Sequence, residues 1–124
     1  MKVLLSIKPE FVEKIFDGSK KYEYRKILFK RKDINVIVIY ASAPVQRVVG
    51  EFRIKDIFSE SVDIIWERTK EYSGITKDYY MSYFQHKDVA NAIEIGSMKK
   101  YNKMKLLSDY NIVQAPQSFC YISD

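Results

Sequence analysis

The spacing of apolar residues changes several times along this chain, and each change marks a new element. Val3 to Ile7 is a short, mostly apolar run that reads as a first strand. Pro9 follows where a helix can begin without missing its backbone N–H. Phe11, Val12, Ile15 and Phe16 then recur at helical spacing, with Glu10, Glu13 and Lys14 on the other side. Gly18, after Asp17, suits the left-handed residue that ends such a helix. From Lys20 to Ile27, Tyr22 and Tyr24 alternate with Glu23 and Arg25, which predicts a strand, and Lys30-Arg31-Lys32-Asp33 a charged loop. Val36 to Ala41 is a continuous β-branched run ending in Tyr40-Ala41, as expected of a strand buried on both faces.

After the turn Ser42-Ala43-Pro44, Val48, Gly50, Phe52 and Ile54 alternate with Val49, Glu51, Arg53 and Lys55, a half-buried strand. Gly50 inside it points to a bulge or a close backbone approach. The period lengthens again over Ser61 to Tyr72, with Ser61 as N-cap and Ile64, Ile65, Trp66 and Thr69 helically placed. Gly74 breaks this helix, Thr76 caps another, and Tyr79, Tyr80, Tyr83 and Phe84 run along it. Val89 to Ile95 returns to strand alternation, a basic stretch and loop follow, and Ser118 to Ile122 closes the chain as a last strand. The order β-α-β-β-β-α-α-β-β lacks regular βαβ alternation and predicts an α+β fold or a small barrel.

Composition narrows the picture. The 124 residues fit one domain, 1–124, with 47% apolar and 15% aromatic residues, enough for a core without disulfide or metal. The single cysteine, Cys120, has no internal partner, which fits a reducing compartment. No apolar run nears the ~20 residues of a membrane helix, and the apolar start is too short for a secretory leader, so a cytoplasmic location and no membrane partner are expected. Charge is uneven: residues 1–32 carry ten Lys/Arg against four Asp/Glu, residues 33–96 seven against ten, and residues 97–124 four against two. If the two ends meet, one side of the molecule becomes basic and attracts phosphate-bearing partners. His86 stands alone in a charged loop, so no metal site or His-based couple is expected, and no cofactor.

The most specific feature is Gly18-Ser19-Lys20-Lys21-Tyr22-Glu23-Tyr24-Arg25, which matches GxKxxExR through Gly18, Lys20, Glu23 and Arg25. With the opening Ser6-Ile7-Lys8-Pro9-Glu10, the Tyr40–Pro44 turn, Val49-Gly50-Glu51-Phe52 and Pro116-Gln117-Ser118-Phe119, the chain resembles the ASCH domain family over nearly its whole length. The resemblance implies a PUA-like β-barrel of about five to six mostly antiparallel strands, with one short helix after the first strand and two before the penultimate one. It also implies binding of RNA or a nucleotide-like ligand. Some members resemble hydrolases of RNA or of modified cytidine. In the amidohydrolases among them, Lys20 matches the lysine, but Glu23 stands where a threonine is expected, so the hydroxyl nucleophile is missing.

Read without the family, Glu23 and Arg25 share one strand face about 7 Å apart and can orient each other. The pair suits either a guanidinium fork presented to a ligand or an ion-pair network that holds the sheet. Lys20 joins that face only if it lies in the turn before the strand. Lys8 sits at a helix N-terminus, where it either holds phosphate together with Lys20 or is simply solvated. Ser42 either caps its turn or contacts a base, and Gln117 and Ser118 at the last strand and Tyr101 between Lys100 and Lys103 are the further contacts to a base. Tyr79, Tyr80 and Tyr83 are assigned to packing. If the protein is an enzyme, Lys20 and Glu23 carry the chemistry. A protein partner would dock on an exposed patch over Trp66, Tyr80 and Phe84.

Overall fold

The computed structural model describes residues 1–124. Six strands and three α-helices follow in the predicted order: β1 (Lys2–Ile7), α1 (Pro9–Asp17), β2 (Tyr22–Arg25), β3 (Val36–Ala41), β4 (Arg47–Ser61), α2 (Val62–Thr69), α3 (Lys77–Tyr83), β5 (Val89–Lys105) and β6 (Phe119–Ile122). The strands form one sheet in the order β2-β5-β4-β3-β1-β6. Only β1 and β3 run parallel; every other neighbouring pair is antiparallel.

The local reasons are those the sequence suggests. Gly18 adopts φ 87° and returns its N–H to Ile15, ending α1. The Ser61 and Thr76 side chains accept from the N–H groups of Ile64 and Tyr79, capping α2 and α3. All six residues of β3 are buried, because that strand lies mid-sheet with side chains covered on both faces. Val3, Leu5 and Ile7 of β1 and Ile37 and Ile39 of β3 pack with Val12 and Ile15 of α1. On the other face, Leu4, Val38, Tyr40, Val48 and Ile122 form a smaller core, with Leu107, Tyr110 and Ile112 packed against it. A third core joins Ile65, Trp66, Tyr80 and Phe84 to Tyr24, Ala90 and Ala92 of the β2–β5 end of the sheet.

Three expectations change. The first is the length of β4, which runs on to Ser61, past the alternation that ends at Lys55. The basic stretch after Ile95 is strand, so β5 runs to Lys105 and pairs along β4 from Val89↔Ser61 to Lys105↔Val48. Its alternation is hidden because the arm is exposed on both faces and has little apolar signal. Register shifts near Val48/Gly50 and Phe52/Ile54 bend the two long strands. Gly50 lies at one of them, where a Cβ would stand 2.5 Å from the Lys99 carbonyl oxygen and 2.6 Å from Phe16 Cζ.

The patch over Trp66, Tyr80 and Phe84 is not exposed. These side chains are 7%, 0% and 2% accessible and pack on the sheet, so no docking face lies there. No helix is long and apolar enough to cross a membrane.

The sheet does not close into a barrel by a backbone ladder, since β2 and β6 are its outer strands. A side chain spans the gap instead. From β2, Arg25 Nη2 donates to the Ser118 carbonyl oxygen at 2.7 Å, just before β6, and Nη1 donates to the Ser6 carbonyl oxygen of β1 at 3.3 Å. Beside this clasp, the Tyr121 hydroxyl accepts from the N–H groups of Lys30 and Arg31, both at 3.2 Å, and Phe29 meets Phe119 edge-on.

Candidate functional site

A cavity of about 200 Å³ opens where the end of β1, the start of β2 and helix α3 come together. Lys20, Glu23, Arg25 and Gln117 line it together with Ser6, Lys8 and the apolar or aromatic Ile7, Phe11, Tyr24, Ile75, Tyr79 and Tyr83.

Lys20 is its most unusual member, a lysine only 2% accessible. It lies before β2 begins, in the turn that Gly18 starts, and so points to the same side as Glu23. Its stem rests against Gly74, which has a left-handed φ of +70° and, separately, no space for a side chain, since a Cβ there would lie 2.6 Å from Lys20 Cβ. Nζ donates to the Ser73 carbonyl oxygen at 2.7 Å and stands 4.8 Å and 5.3 Å from the ring centres of Tyr24 and Phe11. An ammonium has three donors, and the protein occupies one of them here. Burial pulls this amine down to about 8, against the opposing pull of nearby Glu23.

Glu23 is 6% accessible and accepts from Arg25 Nη1 at 3.3 Å. No carboxylate lies within ion-pair distance of Lys20, so Glu23 is near enough to be felt but not bonded to the amine. Arg25 gives hydrogen bonds to Glu23 and to two backbone carbonyls, so three of its donor contacts are already spent on the fold. Tyr24 bonds Thr69 Oγ1 at 2.7 Å, and its phenol is held above the ordinary range by burial. Burial raises Tyr83 in the same direction.

The remaining sequence candidates divide by location. Lys8 is exposed at the mouth, its Nζ 5.1 Å from the Tyr79 ring centre. Ser118 reaches the site only through its backbone, as the acceptor for Arg25. Ser42 is not in the cavity: its N–H bonds the Ile7 carbonyl and its own carbonyl accepts from Val45 and Gln46, so it serves its turn. Tyr101 also lies elsewhere. Its hydroxyl donates to Glu51 Oε1 at 2.7 Å, on a second surface lined by Lys2, Lys99, Lys103 and Lys105.

That second surface is where the chain ends meet. The N-terminal ammonium is 2.7 Å from Asp124, and β1 pairs with β6. It lies at the Lys2 end of β1, whereas the cavity lies at the Ile7 end, roughly 16 Å away along a strand. Tyr79 and Tyr83, assigned to packing by their spacing, are cavity walls. Two adjacent i, i+4 pairs run along α3; Tyr80 and Phe84 face the core, and Tyr79 and Tyr83 face the opening. No three of the His, Cys, Asp and Glu side chains gather so as to hold a metal ion.

The model of the ASCH domain family matches residues 5–99, a span that includes Lys8, Lys20, Glu23 and Arg25. The chain belongs to the ASCH domain family. It is 29% identical over 89 residues to the "ASCH domain-containing ribonuclease" of Zymomonas mobilis, covering 72% of this chain and 60% of that protein. It is also 30% identical over 123 residues to the "Large ribosomal subunit protein uL22" of Ureaplasma parvum serovar 3, covering 97% of this chain and 39% of that protein. The chain thus spans about two fifths of the length of that ribosomal relative. Among solved structures, the ASCH protein of Zymomonas mobilis superposes with a TM-score of 0.89 at 25% identity over 98% of this chain and 87% of that one. The α+β arrangement described above is therefore the arrangement of a known ASCH protein.

Proposed function

We propose that this ASCH domain binds RNA by taking one base into the Lys20–Glu23 cavity. The volume decides how much of a ligand enters. About 200 Å³ is below the ~300–1,000 Å³ of pockets that enclose drug-sized molecules, so one ring system fits and the rest stays outside. The lining decides which part that is. Phe11, Tyr24, Tyr79 and Tyr83 supply aromatic walls, while Lys20, Glu23 and Gln117 supply donors and acceptors at mixed positions. A base has two faces to stack and a polar edge to read. A phosphate would meet the Glu23 carboxylate and lose more than it gained. Lys20, assigned with Lys8 to phosphate on sequence grounds, is better matched to a base edge; phosphate belongs to the exposed mouth.

The observation that carries this reading is a buried ammonium with donors unspent, beside a carboxylate to which it is not bonded. Lys20→Met keeps most of the stem and deletes the charge. Measured by fluorescence anisotropy with a short single-stranded RNA, this variant is expected to lose at least tenfold in affinity. Unchanged affinity in a folded Lys20→Met protein would remove the cavity from the account.

A second reading is hydrolysis at the same place, either of RNA or of a modified nucleoside such as an acetylated cytidine. An amine near pKa 8 beside a carboxylate suits general acid–base chemistry at neutral pH, and one relative is named a ribonuclease. Incubation with RNA and with N4-acetylcytidine, followed by gel and mass spectrometry, tests it. Products that form with the native protein and not with Lys20→Met support catalysis; intact substrates at high protein concentration leave binding alone.

A further inference from the structure

Two exposed lysines at the rim of the cavity, Lys8 among its lining residues and Lys26 just beyond them, share an arrangement that the insertion of a base does not by itself require. Lys8 Nζ lies 5.1 Å from the ring centre of Tyr79, and Lys26 Nζ lies 4.7 Å from that of Tyr83. Both tyrosines line the cavity. They are four residues apart on α3, so their rings project from one face with a rise of about 6 Å between them. Lys8 comes from the start of α1 and Lys26 from the end of β2, so the two ammoniums approach the mouth from different elements. Both residues are exposed, and neither makes an ion pair.

Resting on the reading above, we propose that Lys8 and Lys26 hold the two phosphates that flank the inserted base, so that the site takes an internal nucleotide of a single strand rather than a free nucleoside or a strand end. The two tyrosines that carry the ammoniums sit one helical turn apart, so the mouth offers two separate cationic positions, one for each phosphate beside the inserted base. Each ammonium rests over an aromatic face that limits its wandering, which lowers the entropy lost when it binds an anion. Arg25 is unsuited to the task because its guanidinium is committed to Glu23 and the two carbonyls. A base inside and a phosphate on either side also demand a splayed, unpaired strand, since a paired base cannot enter a cavity of this size.

The test is a calorimetric series of nucleoside, 5′-monophosphate, 3′-monophosphate and 3′,5′-bisphosphate, run for both cytidine and adenosine, whose amino groups suit the Glu23 acceptor. Each phosphate is expected to tighten binding roughly tenfold, with the bisphosphate the tightest. Lys8→Ala is expected to erase the gain from one phosphate and Lys26→Ala the gain from the other, while Lys103→Ala, on the far surface, changes neither. A bisphosphate no tighter than the better monophosphate overturns the proposal, as does loss of the same phosphate's gain in both variants. In either case nucleosides that still bind, and stop binding in Lys20→Met, leave the cavity reading standing. If no compound binds in either series, the cavity reading falls and this one with it.

Discussion

Lys20 concentrates the physics of the site. A buried amine costs free energy in its charged form, and the fold accepts that cost with one carbonyl and two aromatic faces. Its folded value of about 8 lies below its unfolded value near 10.5. Between those values the unfolded chain holds the extra proton, so stability rises as pH increases from about 8 towards 10.5. The gain is at most about 1.4 kcal/mol per pH unit. Urea midpoints from pH 7.5 to 10.5 are expected to show this rise against a Lys20→Met protein, which lacks it; parallel curves would mean that the amine is not held as described. The GxKxxExR spacing singled out Lys20, Glu23 and Arg25 from the sequence. It could not show that Lys20 packs on Gly74, because that contact depends on a loop 53 residues away at Ser73. Tyr79 and Tyr83 escaped for a related reason: helical spacing tells which residues share a face, not what covers it.

At the scale of elements, short local signals were legible and long exposed strands were not. Caps, turn glycines and the β-branched run placed α1, α2, α3 and β3 to within a few residues, since each depends on neighbours in sequence. The outer half of β5 is held by its ladder to β4 and has no apolar period to betray it. The glycines separate local from tertiary demands. Gly18 needs a left-handed backbone but has open space around its absent Cβ, so Gly18→Ala is expected to cost about 1 kcal/mol. Gly50→Ala meets the Lys99 carbonyl and the Phe16 ring, and Gly74→Ala adds a clash with Lys20 to an unfavourable φ. Both are expected to cost more, about 2 kcal/mol or above. Chemical denaturation of the three variants checks the order, and a Gly18 variant as damaged as the other two would contradict it.

Over the whole molecule, the residue most distinctive in the sequence proves to have a second duty. By its sequence context Arg25 suits a ligand fork or an ion-pair support, and the structure adds a further role: it ties β2 to β1 and to the residue before β6 across the open side of the sheet. That closure joins residues far apart in the chain, so no local pattern announces it. Arg25→Ala leaves Glu23 buried without its partner and is expected to destabilise the fold by about 3 kcal/mol or more. Adding Glu23→Gln is expected to recover part of that loss, as seen in thermal midpoints, and faster amide exchange in β6 should accompany the single variant; a single variant of native stability would dissolve the clasp. Weak RNA binding by Arg25→Ala would therefore report on folding as much as on contact. The basic chain ends do meet, as the charge distribution suggested they could, but at the Lys2 end of β1 and away from the cavity. The meeting of the chain ends and the candidate pocket are thus separate features, although the basic N-terminal third supplies Lys8, Lys20 and Arg25 to the pocket.

The location of RNA on the folded protein is the most direct measurement. Amide NMR spectra recorded while a short single-stranded RNA is titrated in are expected to shift most at Lys8, Lys20 through Lys26, Ile75, Tyr79, Tyr83 and Gln117. Shifts confined to Lys99–Lys105 around Tyr101, with the cavity residues unmoved, would contradict the account.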